Sequence, residues 1–227
     1  MTSEAPVWSV ELPDRRQASL GGPKPRATLV LYPDTDHEER MSIPRQVGRI
    51  LSSKQKSGEV HPQSRAELLY VLGQLSRSCA SSRIERLLDR REYAESELRD
   101  KLRQDGYTPK TIDACLERAS AAGLVSNARY ADSFIRSKVY AGWGMARIER
   151  ELSNRGIDAS QVEGWPYEYL DPDDEVSRAV DLAMTRRVSG ARPYEKLVRF
   201  LCGRGFALGV AMRAARQVLG DVEGEFD

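Results

Sequence analysis

Apolar residues change their spacing near Ser64. From there they recur at helical intervals, with Leu68, Leu69, Leu72 and Leu75 in one stripe and Ile84, Leu87 and Leu88 in another. Farther along, three strings superpose: Glu97 to Tyr107, Arg147 to Ile157, and Lys196 to Phe206. Each reads aliphatic, three residues, Leu, three residues, Gly, then a bulky apolar residue. The shared positions are Leu98, Leu102 and Gly106 in the first, Ile148, Leu152 and Gly156 in the second, and Leu197, Leu201 and Gly205 in the third. Their starts at 98, 148 and 197 lie 50 and 49 residues apart, which marks an internal repeat. Two aliphatics at i and i+4 give a short helix one buried face. A glycine four residues on can take the left-handed conformation that ends a helix, and the apolar residue after it can fold back on the last turn.

Flanking helices complete each unit. Residues 81–91 precede the first string, and Thr108-Pro109 opens a helix through about Ala122, with Thr as N-cap and Pro at the first helical position. Ser126 caps a helix carrying Tyr130, Phe134, Ile135 and Val139, which Gly142-Trp143-Gly144 breaks. The third helix of this second unit is expected near Asp158, cut short by Gly164 and Pro166. In the third unit, Asp171 to Glu175 opens a helix with Val176, Val180, Ala183 and Met184, Pro193 opens the string, and Val210, Ala214 and Val218 line the last helix. The pattern predicts an all-α tandem array of three three-helix units, short helices set at right angles in an elongated curved stack.

Residues 1–62 differ. They hold seven of the eleven prolines, and Gly21-Gly22-Pro23 reads as a turn or joint. Arg26 to Tyr32 reads as a strand that Arg40 to Ile43 could pair with; the segment is expected to be a short β-hairpin or partly disordered. The divisions expected are 1–62, a variable segment; 63–125, a leading helix plus the first repeat; 126–170, the second repeat; 171–220, the third; and 221–227, an acidic tail.

Charge separates the repeats. Residues 81–160 hold fifteen Lys/Arg and thirteen Asp/Glu, whereas residues 181–220 hold eight against two, and the tail adds four negative charges. Arg186, Arg187, Arg199, Arg204, Arg213 and Arg216 therefore form a candidate basic face suited to phosphates or an acidic protein surface, a solvated helical face being the alternative. Arg91, Arg99, Arg103, Arg147, Arg150 and Arg155 are expected on the first two string helices, where Glu95–Arg99 and Arg147–Glu151 could pair. Trp143 is either an exposed interface anchor or packing against Ile148.

Little points to catalysis. The cysteines Cys79, Cys115 and Cys202 are scattered, with Cys115 and Cys202 expected as small buried hydrophobes, and His37 and His61 both fall in the front segment. Asp173-Asp174-Glu175 suits the first turn of a helix better than a metal. There is no Gly-x4-Gly-Lys-Ser/Thr loop and no Gly-x-Ser-x-Gly elbow. No enzyme activity, cofactor or metal is expected. With no apolar run near the ~20 residues of a membrane span and no basic-then-apolar start, a cytoplasmic chain is expected.

The stretch Arg90 to Leu102 resembles the first-repeat signature of the RecX regulatory proteins. So do Ala122 to Phe134, Gly142-x-Gly144, and Arg150 to Ile157. The likeness covers about residues 64–220. It implies a cytosolic, non-enzymatic modulator of the RecA recombinase that lies in the groove of the RecA–single-stranded DNA filament. There it would inhibit strand exchange, ATP hydrolysis and co-protease activity, as a monomer with weak, salt-sensitive affinity for single-stranded DNA. Ala94 departs from the family's Ser or Thr, which costs a helix cap about 0.5–2 kcal/mol; Ser126-Asn127 stands where an acidic pair is usual. A stand-alone helix-turn-helix type of DNA-binding module is the other reading of the basic third unit.

Overall fold

The computed structural model describes residues 6–13, 24–32, 38–186 and 191–220 in full, and the backbone of 221–224. Arg187, the Gly21-Gly22-Pro23 joint and the charges of the 221–227 tail lie outside the fully described residues. The chain divides into two compact units, Met1–Ser126 and Asn127–Asp227. Among the described residues, no helix is long and apolar enough to cross a membrane.

The first unit begins with a three-stranded antiparallel sheet in the order β1-β2-β3, formed by β1 (Val7–Glu11), β2 (Ala27–Tyr32) and β3 (Glu39–Ile43). The expected pair is present as β2 and β3, with Leu29 opposite Met41. It gains a third strand, β1, which sets Trp8 opposite Leu31. The β1 segment escapes a reading by pattern because the six residues between Pro6 and Pro13 carry too short an alternation. A sheet with one apolar face also needs a cover. Helix α1 (Arg45–Lys56) supplies it, in a segment where the sequence pattern predicts only a short β-hairpin or partial disorder. Its signal is present in hindsight: Val47, Ile50 and Leu51 share one face, and Pro44 stands at the N-cap.

Helix α2 (Arg65–Leu88) runs unbroken through what the sequence suggested were a leading helix and a separate repeat helix. Its first half closes the sheet's core, where Leu68 joins Leu29, Leu31 and Leu51. Its second half gives Cys79, Ala80, Ile84 and Leu87 to the core of the first three-helix unit, shared with α3 (Glu95–Asp105) and α4 (Pro109–Ala121). One helix serving two cores ties the sheet to the repeat. Ala94 leaves α3 without a side-chain cap, yet the Glu97 carboxylate still accepts from the Ala94 N–H at 3.1 Å.

The second unit contains α5 (Asn127–Tyr140), α6 (Met145–Ser153), a 3-10 turn at Ala159–Gln161, α7 (Glu175–Met184), α8 (Pro193–Arg204) and α9 (Leu208–Gly224). The turn is the truncated third helix of the second repeat, opened by Asp158, whose carboxylate accepts from the Ser160 N–H at 2.9 Å. The chain up to Leu170 then folds back through Tyr169, which donates to Asp132 at 2.9 Å, and Trp165, which donates to Glu149 at 3.3 Å. Helices α7, α8 and α9 close around Leu197, Leu201, Phe206, Ala211 and Ala214.

All three strings end alike. Gly106, Gly156 and Gly205 have φ of 96, 70 and 94°. Past each, the next N–H returns to the Leu carbonyl five residues back: Tyr107 to Leu102 at 3.1 Å, Ile157 to Leu152 at 3.0 Å, Phe206 to Leu201 at 3.2 Å. These six-to-one bonds define the Schellman end, and they carry Tyr107, Ile157 and Phe206 into the cores. Cys115 is buried as expected. Cys202 is exposed, because it follows Leu201 and lies about 100° round the helix from the buried stripe.

Gly48 tests the packing of α1 on the sheet. A Cβ there would stand 2.4 Å from the Ala27 Cβ, a contact no rigid pair can accept. Helix propensity alone favours Gly48→Ala by about 0.5–1 kcal/mol. Overpacking is expected to outweigh it and destabilise the protein by about 1–3 kcal/mol. Urea denaturation measures the sign; a more stable variant would mean the sheet and α1 are not held this closely.

Candidate functional site

The second and third strings meet backbone to backbone. The Gly144 N–H donates to the Arg204 carbonyl at 2.9 Å. A Cβ on Gly144 would lie 2.4 Å from the Gly205 carbonyl carbon, and one on Gly205 would lie 2.1 Å from the Arg147 Cβ. Only glycine permits this approach from both sides.

Charged side chains stitch the junction. Arg147 donates to the Gly203 carbonyl at 3.0 Å, and Arg204 donates to the Ala141 carbonyl at 3.3 Å, so each string reaches the chain of the other. Helix α6 has no capping side chain of its own at Gly144. Glu175, buried at the start of α7, caps it instead: its carboxylate accepts from the Met145 N–H at 2.9 Å. Arg178, one turn on, donates to the Trp143 carbonyl at 2.9 Å. Burial pushes the Arg178 guanidinium below its ordinary value, against the pull of Glu175 and Asp174.

Aromatic rings and cations alternate across this region. Arg147 lies 3.8 Å from the centre of the Trp143 ring, and the Lys138 ammonium 5.0 Å from it. Phe134 and Trp143 meet edge to face with ring centres 6.2 Å apart, and Phe134 in turn stacks on Tyr130 at 5.9 Å. Beyond the glycine contact, Phe200 is flanked by Arg186 at 4.4 Å and Arg204 at 5.3 Å. Each such pair is worth about 0.5–2 kcal/mol, depending on desolvation. Trp143 is thus half-buried between Phe134 and Arg147, so it is neither a bare anchor nor packed on Ile148 alone. A guanidinium has five donors, and Arg147 and Arg204 each have a single hydrogen bond described, so donors remain for a phosphate or carboxylate.

The other candidate arginines separate by environment. In the first unit Arg91 pairs with Glu97 at 3.1 Å, Arg103 with Asp100 at 2.8 Å, and Arg99 with both Asp113 and Glu95. Hydrogen bonds donated by Arg91 to Glu97 and by Arg99 to Asp113 hold both guanidiniums above their ordinary values. Arg91 precedes α3 rather than lying on it. In the second repeat Glu151 pairs with Arg155 at 2.8 Å, not with Arg147, which is committed to Gly203 and Trp143. The Arg155 hydrogen bond also pulls the Glu151 carboxyl down. Arg150 is exposed on α6. In the third repeat Arg199, Arg213 and Arg216 are exposed and have no hydrogen bond or ion pair among the described residues. Arg186 is exposed over Phe200.

Sequence reasoning brought Trp143, Arg147, Arg204 and Arg186 forward and missed Glu175, Arg178, Lys138 and Phe200. Glu175 carried a signal, an acid in a first helical turn, but its partner lies thirty residues away on another helix.

Comparison with known proteins supplies context. The family model described as RecX, first three-helix domain, matches residues 82–118, and that for the second three-helix domain matches 126–164. A regulatory protein RecX of Pseudomonas putida (strain W619) is 38% identical over 132 residues, 56% of this chain and 83% of the relative. One from Pseudomonas entomophila (strain L48) is 36% identical over 127 residues, 54% of this chain and 80% of the relative. Among solved structures, a regulatory protein RecX overlays with a TM-score of 0.55 at 17% identity, covering 94% of this chain and 97% of that one. A RecX from Lactobacillus salivarius overlays at 0.51 and 21% identity, covering 63% and 96%. At those identities the structural likeness speaks for the fold alone.

The two string-end glycines of this unit should respond differently to one substitution. Nothing lies within 4 Å of a Cβ on Gly156, whereas one on Gly205 strikes Arg147. Gly156→Ala is expected to cost about 1 kcal/mol, the strain of a left-handed alanine. Gly205→Ala is expected to cost about 1–3 kcal/mol more. Unfolding midpoints in urea compare the two, and equal losses would mean the Gly144–Gly205 contact is loose.

Proposed function

Because the chain belongs to the RecX family of regulatory proteins, we propose that it binds the RecA–single-stranded DNA filament and lowers RecA's ATPase, strand-exchange and co-protease activities. It does so as a cytoplasmic monomer and catalyses no reaction itself. The observation that carries this reading is the pair of RecX three-helix domains, followed by a third unit with the same string and glycine end.

The third unit is the more basic one, and Arg199, Arg213 and Arg216 point its charge to solvent. Long-range attraction to the filament's phosphates favours encounter and makes it sensitive to salt. The arginine–aromatic junction around Trp143 and Phe200 supports a docking role through planar donors beside rings. The arginines of the first repeat, already neutralised by their own carboxylates, contribute less.

The test is a titration of RecA ATPase on single-stranded DNA. Inhibition is expected at substoichiometric to equimolar protein, and an unchanged rate over the full range would refute the reading. R199E/R213E/R216E leaves the stitching residues Arg147 and Arg204 in place. It is expected to raise the concentration for half-inhibition by about tenfold, with a shallower salt dependence, as three phosphate-facing cations are lost.

A further inference from the structure

The first unit contains a cleft of about 870 Å³ between the sheet, α1, α2 and the end of α3. Among the described residues five cations line it, Lys24, Arg45, Arg49, Arg83 and Arg86, against the single carboxylate of Asp105. We infer that this cleft binds the phosphodiester backbone of single-stranded DNA, as a contact separate from the third repeat.

The charge is concentrated by helical spacing. Arg45 and Arg49 stand at i and i+4 on α1, and Arg83 and Arg86 at i and i+3 on α2, so each pair shares a face. Asp105 is spent on Lys24 and on Arg83, the latter at 2.9 Å. Arg86 turns its Nε to the Ser82 carbonyl of its own helix at 3.1 Å. Arg45 and Arg49 have no hydrogen bond or ion pair among the described residues. Helix α1 also opens on the cleft with no acidic residue in its first turn, so nothing of its own offsets the positive end of its dipole. A chain with net charge +1 has no need of such a cluster for solubility. Like charges held together oppose folding, and an anion that binds only the folded state relieves them.

The lining decides what kind of anion fits. The volume exceeds that of a lone phosphate and falls in the range of ligand clefts. The one aromatic ring among its described lining residues, Tyr107, is buried in the core and offers no face on which a base could stack. Paired guanidiniums match phosphate oxygens two at a time. Recognition is therefore of backbone, indifferent to base. The presence of an anion site rests on the cleft alone; the choice of DNA over another polyanion rests on the filament reading above.

The experiment uses the full chain without RecA, so its outcome does not depend on any effect on RecA activity. Fluorescence anisotropy follows a labelled oligothymidylate across a salt series, with R45E/R49E, Asp105→Asn and R199E/R213E/R216E compared with the parent. R45E/R49E is expected to flatten the slope of log affinity against log salt by about 1.4, two phosphate contacts at about 0.7 each. Asp105→Asn is expected to steepen it by about 0.7, a gain that no misfolded protein would produce. Slopes unchanged in both variants, with only R199E/R213E/R216E altered, would overturn the inference. So would polyglutamate displacing the oligonucleotide as well as unlabelled oligothymidylate does, since the cleft would then favour an acidic polypeptide.

Discussion

Three hydrogen bonds shape most of this protein: from the N–H of Tyr107 to Leu102, of Ile157 to Leu152, and of Phe206 to Leu201. Each requires a glycine with positive φ one residue earlier, and each turns the chain so that a large apolar residue drops into the core its own helix has begun. Without that turn the string helix would bury two aliphatics, too few for a stable short helix. With it, a short helix gains a third anchor and an exit direction for the next segment. The repeat is thus a repeat of helix ends more than of helix bodies.

The same geometry serves a second purpose at the junction of the second and third strings. Gly205 has no Cβ, and Gly144 has none either, so two backbones approach to hydrogen-bonding distance and hand the Gly144 N–H to the Arg204 carbonyl. Everything around that contact compensates for what two glycines cannot supply. Glu175 caps a helix whose own N-cap is bare, Arg178 holds the carbonyl of Trp143, and Arg147 and Arg204 exchange bonds across the seam. The Glu175 carboxylate and one Arg178 nitrogen are paired there, while the buried Arg178 Nη1 has no hydrogen-bond partner among the described residues. Arginines that look alike in the sequence therefore divide into stitches within the fold, such as Arg147 and Arg204, and exposed charges, such as Arg199, Arg213 and Arg216.

A parallel division holds in the first unit. Helix α2 belongs to two cores, so the β-sheet is not an appendage but one wall of a body that includes the first three-helix domain. That shared helix also sets Arg83 and Arg86 across from Arg45 and Arg49. A basic surface created between elements so far apart in the chain has no signature in any local window. Counting charge by segment found the third repeat as basic and passed over this cleft, because its acids and bases nearly cancel along the chain.

Local patterns were legible from the sequence alone: the all-helical repeats, their glycine ends, the truncated helix after Asp158, and the β2–β3 pair. These depend on interactions within about five residues, or on an alternation that a few residues display. Tertiary structure alone decided the rest. It added β1 and α1, because an apolar sheet face must be covered; it fused two expected helices into α2, because one helix can close two cores. It turned Cys202 outward by helical phase. It also chose partners for charges, giving Glu175 to the Met145 N–H and Asp105 to Lys24 and Arg83. A charge pairs with what lies near it in space, and except along a single helix the order of residues does not say what that is.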